Sequence, residues 1–195
     1  LTAVVGDNSA HDRGRAGYNG LWSLRHALHA DSIFVPGLAG LNLEHIVTGE
    51  HLADATTFFE PRNAPLTLTR IDEAAAELHQ PPTPTFLIES WTRFRLVAPH
   101  YVDMEFRFRP HRDVFPRGYV ALFWASYMNA PEDKSIYFLG GDEGQEPRWT
   151  QLCTQRHNDQ STVRHRGDAF DMTFAADGRD ALFKSMSRLR FDEPL

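Results

Sequence analysis

The sequence predicts an all-β fold, an antiparallel β-sandwich or barrel with little helix. Three observations favour this fold class. Segments of alternating apolar and polar residues recur along the chain, turns rich in Gly, Pro, Asn and Asp separate about ten short strand candidates, and no long segment has a helical period. The chain has 13 Gly and 12 Pro among 195 residues. No repeat of fixed period is present, which argues against solenoids and propellers.

Chain length predicts a single β domain over residues 1–195. A chain of this size removes on the order of 70% of its unfolded surface from water, so its core needs no metal or disulfide. Fourteen Phe, four Trp and five Tyr predict an aromatic-rich core. The sequence opens with Leu1, and residues 188–195 read as an unfinished strand or turn. A fragment of a longer sandwich protein and a trimmed chain are both compatible with these ends.

The charge distribution argues against a nucleic-acid partner. The formal net charge is −6, and no Lys/Arg cluster is free of acidic neighbours, whereas phosphate binding needs a concentrated basic surface. The longest apolar runs, such as 119–124, are too short to span a bilayer. Cys153 is the sole cysteine, which excludes an internal disulfide framework but leaves cytoplasm and periplasm open. We therefore expect a soluble protein without a membrane partner, and the sequence identifies no cofactor.

The first half of the chain predicts short strands between turns. Residues 6–20 have a turn-rich composition. Residues 72–78 (DEAAAEL) have the highest helix propensity in the chain, but Pro81 and Pro82 limit a helix there to one or two turns. The alternative is a hairpin over 66–79. Strands are expected at 21–26, 32–36, 43–47, 58–60 and 66–71.

The β signal is strongest from residue 85 onward. Alternation over 85–97 and over 101–109 predicts two strands joined by a short link. Residues 119–129 are almost continuously apolar, which is typical of a central strand covered on both faces. Residues 181–191 fit either a helix or a strand. Further strands are expected at 135–139, 148–154, 162–165 and 169–174.

Charge predicts the register of the hairpin formed by 85–97 and 101–109. Apolar residues must stay opposite apolar residues, because a slip by one sends every side chain to the wrong face. A register shifted by two would oppose Arg93 and Arg107, and like charges opposite one another are destabilising. The register closed by a three-residue loop instead opposes Glu89 with Arg109, Trp91 with Arg107, Arg93 with Glu105, and Arg95 with Asp103. We predict this register.

The charged face of the hairpin has two interpretations. One is a solvated ladder of salt bridges, each of which contributes little to the free energy of folding, and the sequence favours this interpretation. The other is the floor of a sugar cleft, in which Trp91 contacts the C–H face of a sugar and charged side chains bind its hydroxyls. In that case the predicted substrate-binding residues are Glu89, Trp91, Arg93, Arg107 and Tyr127.

Three residues are candidates for acid–base catalysis. His45 follows Glu44 in a strand where neighbours point to opposite faces, so only one of the two is expected inside, and a buried, hydrogen-bonded His45 is the alternative to a catalytic one. His111 follows the charged strand, where an imidazole suits proton transfer to a ligand held there; a surface histidine is the alternative. Glu105, on the charged face, is the candidate carboxylate.

The chain contains no familiar catalytic or metal-binding motif. Its ten histidines follow no HExxH spacing and no HxH followed by Glu. His26 and His29 have a spacing that would suit a helix, but residues 21–26 predict a strand. No nucleophile elbow, phosphate-binding loop or dinucleotide fingerprint occurs. The sequence therefore excludes the commonest hydrolase, nucleotidase and dehydrogenase signatures and predicts no metal ligands.

The segments 85–109 and 119–129, with their mixture of aromatic, histidine and carboxylate residues, resemble the galactose-mutarotase-like β-sandwich proteins of carbohydrate metabolism. The resemblance covers the middle third of the chain. It implies a histidine acid and a carboxylate base that face each other across a concave sheet, here His111 or His45 with Glu105. The family's sandwiches are larger, which agrees with a fragment.

The expected function is carbohydrate-active, with His/carboxylate acid–base chemistry as in an epimerase, lyase or hydrolase. Whether the chain is an enzyme stays open. A non-catalytic carbohydrate-binding module is one alternative, and a metal-dependent β-barrel enzyme that uses His45, His100 or His111 with Glu44 or Glu105 is another. The expected ligand is a sugar or oligosaccharide, and a partner chain or oligomer that completes the sandwich is a further partner the sequence allows.

Overall fold

The computed structural model describes residues 1–9, 17–50, 55–113, 115–129, 132–152, 162–168 and 186–193. Within these ranges the protein consists of β-strands with two helices of four residues each, which confirms the all-β prediction. The chain forms two compact units. The first comprises Leu1–Thr48 and Leu52–Glu132, and the second comprises Gly49–His51 and Asp133–Leu195.

The first unit contains two four-stranded sheets and both helices. The strands of the first sheet are β1 (Thr2–Gly6), β2 (Gly20–Arg25), β3 (Leu41–Val47) and β8 (Ala121–Ser126), in the order β1-β2-β3-β8. The strands of the second are β4 (Thr67–Arg70), β5 (Ala75–Gln80), β6 (Ile88–Val97) and β7 (Tyr101–Pro110), in chain order. The helices α1 (Ala55–Phe58) and α2 (Glu60–Asn63) lie between β3 and β4 in the chain. All described strand pairs in this unit are antiparallel.

Both sheets of the first unit share one hydrophobic core. Leu21 of β2 packs with Leu78 of β5 and Phe94 of β6, and Phe34 completes the cluster. Each of these side chains is at most 5% exposed, and burying one stabilises the fold by about 1.5–3 kcal/mol relative to leaving it in water. The first unit is therefore a β-sandwich, one of the two architectures that the sequence predicts.

The predicted register of the charged hairpin is confirmed. Strands β6 and β7 pair antiparallel, with Glu89 opposite Arg109, Trp91 opposite Arg107, Arg93 opposite Glu105 and Arg95 opposite Asp103. The inward side chains of β6 are buried, whereas the residues of β7 are mostly exposed, since β7 is the last strand of its sheet.

Tertiary contacts decide two local segments. Of the helix and the hairpin left open for residues 66–79, the hairpin is observed, because β4 pairs with β5 and Ala75 and Leu78 of β5 are buried. The strand predicted at 58–60 is wrong, since Phe58 ends α1 and Glu60 begins α2. Pro61 occupies the first turn of α2, a position that needs no N–H donor.

Strand β8 was expected in the centre of a sheet, yet within the described residues it lies at an edge. It pairs with β3 and is the last strand in the order β1-β2-β3-β8. The run of apolar residues in β8 is explained instead by side-chain packing on both faces of the strand. Trp124 packs on the main core, Leu122 on a second cluster, and Phe123 on the ring of His45. An apolar run therefore indicates two covered faces rather than a central position.

The second unit contains one described sheet. Its strands are β9 (Ile136–Asp142), β10 (Arg148–Leu152), β11 (Thr162–His165) and β12 (Met186–Glu193), in the order β10-β9-β12-β11. The β11–β12 pair is parallel and the other two pairs are antiparallel. The strand predicted at 169–174 and Cys153 lie outside the described residues. Of the ambiguous segment 181–191, the described part is strand. No described helix has the length and apolarity to cross a membrane.

Candidate functional site

The one-turn helix α2 is fixed by side chains that are distant in sequence. Asn8 Nδ2 donates hydrogen bonds to the carbonyl oxygens of Arg62 at 3.0 Å and Ala64 at 2.6 Å. Gln80 Nε2 donates to the carbonyl oxygen of Pro61 at 2.8 Å. Asn8 and Gln80 are buried. Their amides therefore provide hydrogen-bond donors to carbonyl oxygens that have no partner within so short a helix.

The side chain of Glu60 ties α2 to the segment that precedes β6. Its carboxylate accepts hydrogen bonds from the backbone N–H groups of Thr85 at 3.0 Å and Phe86 at 3.1 Å, and it is only 4% exposed. Hydrogen bonds from backbone N–H groups to a buried carboxylate are among the stronger ones in proteins. These contacts and the amides of Asn8 and Gln80 hold the backbone of Arg62 in place.

Strand β3 contains a β-bulge at Glu44. Leu43 pairs with Trp124 and His45 pairs with Phe123, so Glu44 is the extra residue between them. A bulge interrupts the alternation of faces and re-aims a side chain. Glu44 is 6% and His45 3% exposed, and their side chains approach to 3.5 Å. The expectation that only one of the two lies inside is therefore wrong.

The Glu44 carboxylate is the centre of the candidate site. Its Oε1 accepts hydrogen bonds from Arg62 Nη1 at 2.7 Å and from the Tyr127 hydroxyl at 2.6 Å. The side chains of Arg62 and Glu44 are 6% and 8% exposed. Because burying charges is expensive, such a pair is stable only while both partners and their hydrogen bonds are present.

His45 lies on the other side of this carboxylate. Its Nδ1 is 2.7 Å from the carbonyl oxygen of Phe58, which can only accept, so Nδ1 carries a proton. Burial lowers the pKa of His45 below its usual value, against the opposing effects of the Phe58 hydrogen bond and the Glu44 charge. The ring is then neutral near pH 7, and its Nε2, 3.5 Å from Glu44 Oε2, is a proton acceptor. His45 is therefore buried and hydrogen-bonded, while its Nε2 still faces the Glu44 carboxylate.

Glu44 opens onto a cleft of about 670 Å³, which we call the Glu44 cleft. Its polar lining is Glu44, Arg62, Tyr127 and Tyr18, and its apolar lining is Val35, Pro36, Leu38 and Phe59. The Arg62 guanidinium lies 3.7 Å from the centroid of the Tyr18 ring, a cation–π contact that also orients it. Burial and the hydrogen bond to Glu44 raise the pKa of Tyr127 above its usual value, so the hydroxyl keeps its proton and donates.

The charged face of β6 and β7 contains a second carboxylate cluster, centred on Glu89. Glu89 accepts hydrogen bonds from Arg109, from His111 Nε2 at 2.7 Å and from His79 Nε2 at 3.0 Å. The side chains of these three partners are 37–62% exposed. The hydrogen bonds from Arg109, His111 and His79 lower the pKa of Glu89 to about 2.

Trp91 is covered by its neighbours on this face. The His79 ring stacks on it at 5.2 Å with an interplanar angle of 14°, and the guanidinium groups of Arg107 and Arg109 lie 5.9 and 5.6 Å from its centroid. Arg93 binds Glu77 of β5 at 2.7 Å rather than the opposite Glu105. The face is therefore a salt-bridge ladder that extends over three strands.

The structure separates His111 from Glu105. Six positions along an extended strand correspond to about 20 Å, and Glu105 binds Arg107 at 3.2 Å with its side chain 56% exposed. The Glu44 cleft and two further cavities of the first unit are lined by neither residue, nor by Trp91. The structure brings together two groups of sequence-predicted residues. His111 is hydrogen-bonded to Glu89 at 2.7 Å, with Arg107 over Trp91 on the same face, and His45 and Tyr127 lie on either side of Glu44.

Sequence reasoning missed Arg62 and Tyr18. Arg62 lies in FFEPRN, of which only residues 58–60 carry a prediction, that of a strand. A charged residue among aromatics and proline was the available signal. Tyr18 lies in a turn-rich segment that offers none. Among the described residues, no group of three or more His, Cys, Asp or Glu side chains is arranged to hold a metal ion. Comparison with family models, curated proteins and solved structures finds no match to the chain.

Proposed function

We propose that the protein is carbohydrate-active and that its saccharide binds in the Glu44 cleft. The observation that supports this most is the buried Glu44 carboxylate, which is held by Arg62 and Tyr127 and opens onto a cleft. A volume of about 670 Å³ lies within the range of small-molecule sites. The sequence predicted saccharide binding on the face of Trp91, and we propose the Glu44 cleft instead.

The lining of the cleft suits a neutral polyhydroxylated ligand. A hydroxyl needs both an acceptor and a donor, and the carboxylate of Glu44 lies within 2.7 Å of the donors on Arg62 and Tyr127. The positive and negative charges of Glu44 and Arg62 cancel, so neither a phosphate nor an ammonium group is preferred. The rings of Tyr18 and Phe59 offer apolar faces for the C–H side of a sugar.

Glu44 and His45 would supply the acid–base chemistry. In this proposal Glu44 accepts a proton from the bound saccharide, and the neutral Nε2 of His45 takes it over from Oε2, 3.5 Å away. The imidazolium that results is then stabilised by the carboxylate beside it. The fixed backbone of α2 keeps Arg62, and through it Glu44, in position while the proton moves. A histidine paired with a carboxylate is also what the resemblance to galactose-mutarotase-like proteins implies. In this proposal Glu44 has the role that the sequence analysis gave to Glu105.

A non-catalytic binding function is the second candidate. It is favoured by the two hydrogen bonds that Glu44 Oε1 already accepts, because they occupy the oxygen that would otherwise take a proton from the ligand. The metal-dependent alternative gains no support from the described residues.

The test is saccharide binding by the whole chain, measured by ligand-observed NMR over a panel of neutral mono- and oligosaccharides. Tyr127→Phe, which removes one hydroxyl at the cleft, should weaken the binding of any hit at least tenfold, or about 1.4 kcal/mol. Glu105→Gln, on the exposed ladder, is the matched control and should bind as the parent does. Binding that follows Glu105 instead of Tyr127 would contradict the cleft.

The same panel separates an enzyme from a binding module. Each bound sugar is followed by NMR for anomerisation, epimerisation or cleavage. His45→Gln should abolish turnover and retain binding if His45 takes the proton. Binding without turnover in the parent protein would establish the non-catalytic alternative.

A further inference from the structure

The second unit exposes an aromatic pair on one face of its sheet. In the hairpin of β9 and β10, Trp149 lies opposite Leu139 and Gln151 lies opposite Tyr137, so all four side chains point to the same face. Trp149 is 61% and Tyr137 49% exposed. Diagonal neighbours on adjacent strands lie about 7–8 Å apart. We call these four residues the Trp149 platform.

The polar neighbours of the rings are held in fixed positions. Asp133 accepts hydrogen bonds from the Tyr137 hydroxyl and from Gln151 Nε2, the latter at 3.1 Å. Gln151 Nε2 also lies 3.0 Å from Ser135 Oγ. A surface network that orders a Tyr and a Gln beside an exposed Trp lowers the entropy lost when a ligand binds.

The exposed aromatic area is too small for a protein partner. Aromatic side chains present about 150–250 Å² when fully exposed, so the two rings at their observed exposures offer on the order of 200–250 Å². A stable protein interface buries about 800 Å² on each side. The area of the platform instead matches the faces of one or two sugar rings.

We propose that the Trp149 platform binds a neutral polysaccharide chain that lies across β9 and β10. The rings of Trp149 and Tyr137 contact the C–H faces of two sugar units, and the amide of Gln151 and the carboxylate of Asp133 bind their hydroxyls. Asp133 and the formal net charge of −6 disfavour acidic polysaccharides. The choice of a saccharide rests on the proposed function, although the platform and the Glu44 cleft are separate sites.

Retention of the whole chain on neutral polysaccharides tests the platform. Affinity electrophoresis through gels with soluble glucan, mannan or xylan, and pull-down on insoluble cellulose or starch, should retain the parent on at least one of them. Trp149→Ala should lower the affinity at least tenfold, and Trp149→Tyr, which restores an aromatic face, should recover most of it. Ile136→Ala is the matched control, because Ile136 of β9 is also 61% exposed but points to the opposite face of the hairpin of β9 and β10.

Failure of the platform and failure of the cleft give different results. If no polysaccharide retains the parent, or if Trp149→Ala is retained like the parent, the platform is wrong, whatever the cleft binds. A dimer in size-exclusion chromatography that Trp149→Ala dissociates would also overturn it, since the face would then be a self-association surface. Trp149→Ala should leave monosaccharide binding in the Glu44 cleft unchanged, so retention that depends on Trp149 combined with an inert cleft refutes only the cleft.

Discussion

The Glu44 cleft and the Glu89 cluster have similar chemistry in different surroundings. Each centres on a glutamate that an arginine binds and a histidine approaches, and each has an aromatic ring against the arginine. In the cleft the arginine and glutamate side chains are 6% and 8% exposed. In the cluster the glutamate is also buried, at 11%, but its partner Arg109 is 62% exposed. The same residue types therefore form a pair that is buried on both sides in one place and a pair with a solvated arginine in the other.

Burial determines what such a cluster can do. Glu89 is buried, but water reaches its arginine and histidine partners and screens their charges, so each contact there contributes less than a contact between two buried groups. Around Glu44 the protein supplies the partners that water would otherwise provide, which makes the arrangement both rigid and sensitive to substitution. The following predictions measure this difference, from the largest expected effect to the smallest.

Arg62→Ala should destabilise the protein by about 3–5 kcal/mol, because it leaves the buried Glu44 carboxylate without its cation. The free energy of unfolding from urea denaturation is the measurement. Arg93→Ala is the matched control on the ladder, where the arginine side chain is 36% exposed, and it should cost much less. Equal losses for the two variants would remove the distinction between the regions.

Asn8→Ala should cost about 1–3 kcal/mol in the same measurement. The side-chain amide of Asn8 donates hydrogen bonds to the carbonyl oxygens of Arg62 and Ala64. The loss of a hydrogen bond by a buried polar group costs a free energy of this size. Since Asn8 positions the backbone of Arg62, saccharide affinity of the cleft should fall as well. A stability loss with unchanged affinity would show that α2 does not need this anchor to place Arg62.

The two clusters should lose stability in different pH windows. Burial holds the pKa of His45 below its ordinary 6.5, so the unfolded chain takes up this proton first and stability falls as pH drops below about 6.5. The pKa of Glu89 is lowered from 4.5 to about 2, so its contribution is complete above pH 4.5 and is lost between about 4.5 and 2.

Variants can assign each window. Unfolding followed between pH 7 and 2 should show a shallower decline as the pH first drops below 6.5 for His45→Phe, and a shallower decline below pH 4.5 for Glu89→Gln. Glu44 and Arg62 face His45, and Arg109, His111 and His79 face Glu89. A decline just below pH 6.5 that His45→Phe leaves unchanged would place the responsible histidine elsewhere.

Glu105→Gln should have the smallest effect, within about 0.5 kcal/mol, since an exposed ion pair contributes little. Its side chain is 56% exposed and binds Arg107 of its own strand. Saccharide binding and turnover should also be unaltered. Loss of activity in this variant would return the catalytic site to the face of β6 and β7.

Local pattern predicted some features well because their causes are local. The alternation of 85–97 and 101–109 together with the charges on one face was sufficient for the register of β6 and β7, down to Trp91 opposite Arg107. The same pattern could not predict ion-pair partners. Arg93 binds Glu77, because β5 lies on the other side of β6 and brings its carboxylate closer than that of Glu105.

The sequence by itself determined the all-β class, the turns and the hairpin register, since side-chain alternation and charge act between near neighbours in the chain. Only the tertiary structure decided the candidate site. The bulge that turns Glu44 and His45 inward arises from the pairing of β3 with β8, about 80 residues away in the chain. Arg62 reaches Glu44 because Asn8, Gln80 and Glu60 fix α2 through buried hydrogen bonds. Tyr127 reaches it because β8, which it follows, pairs with β3. Such contacts join segments that no local pattern connects, and burial then makes them strong.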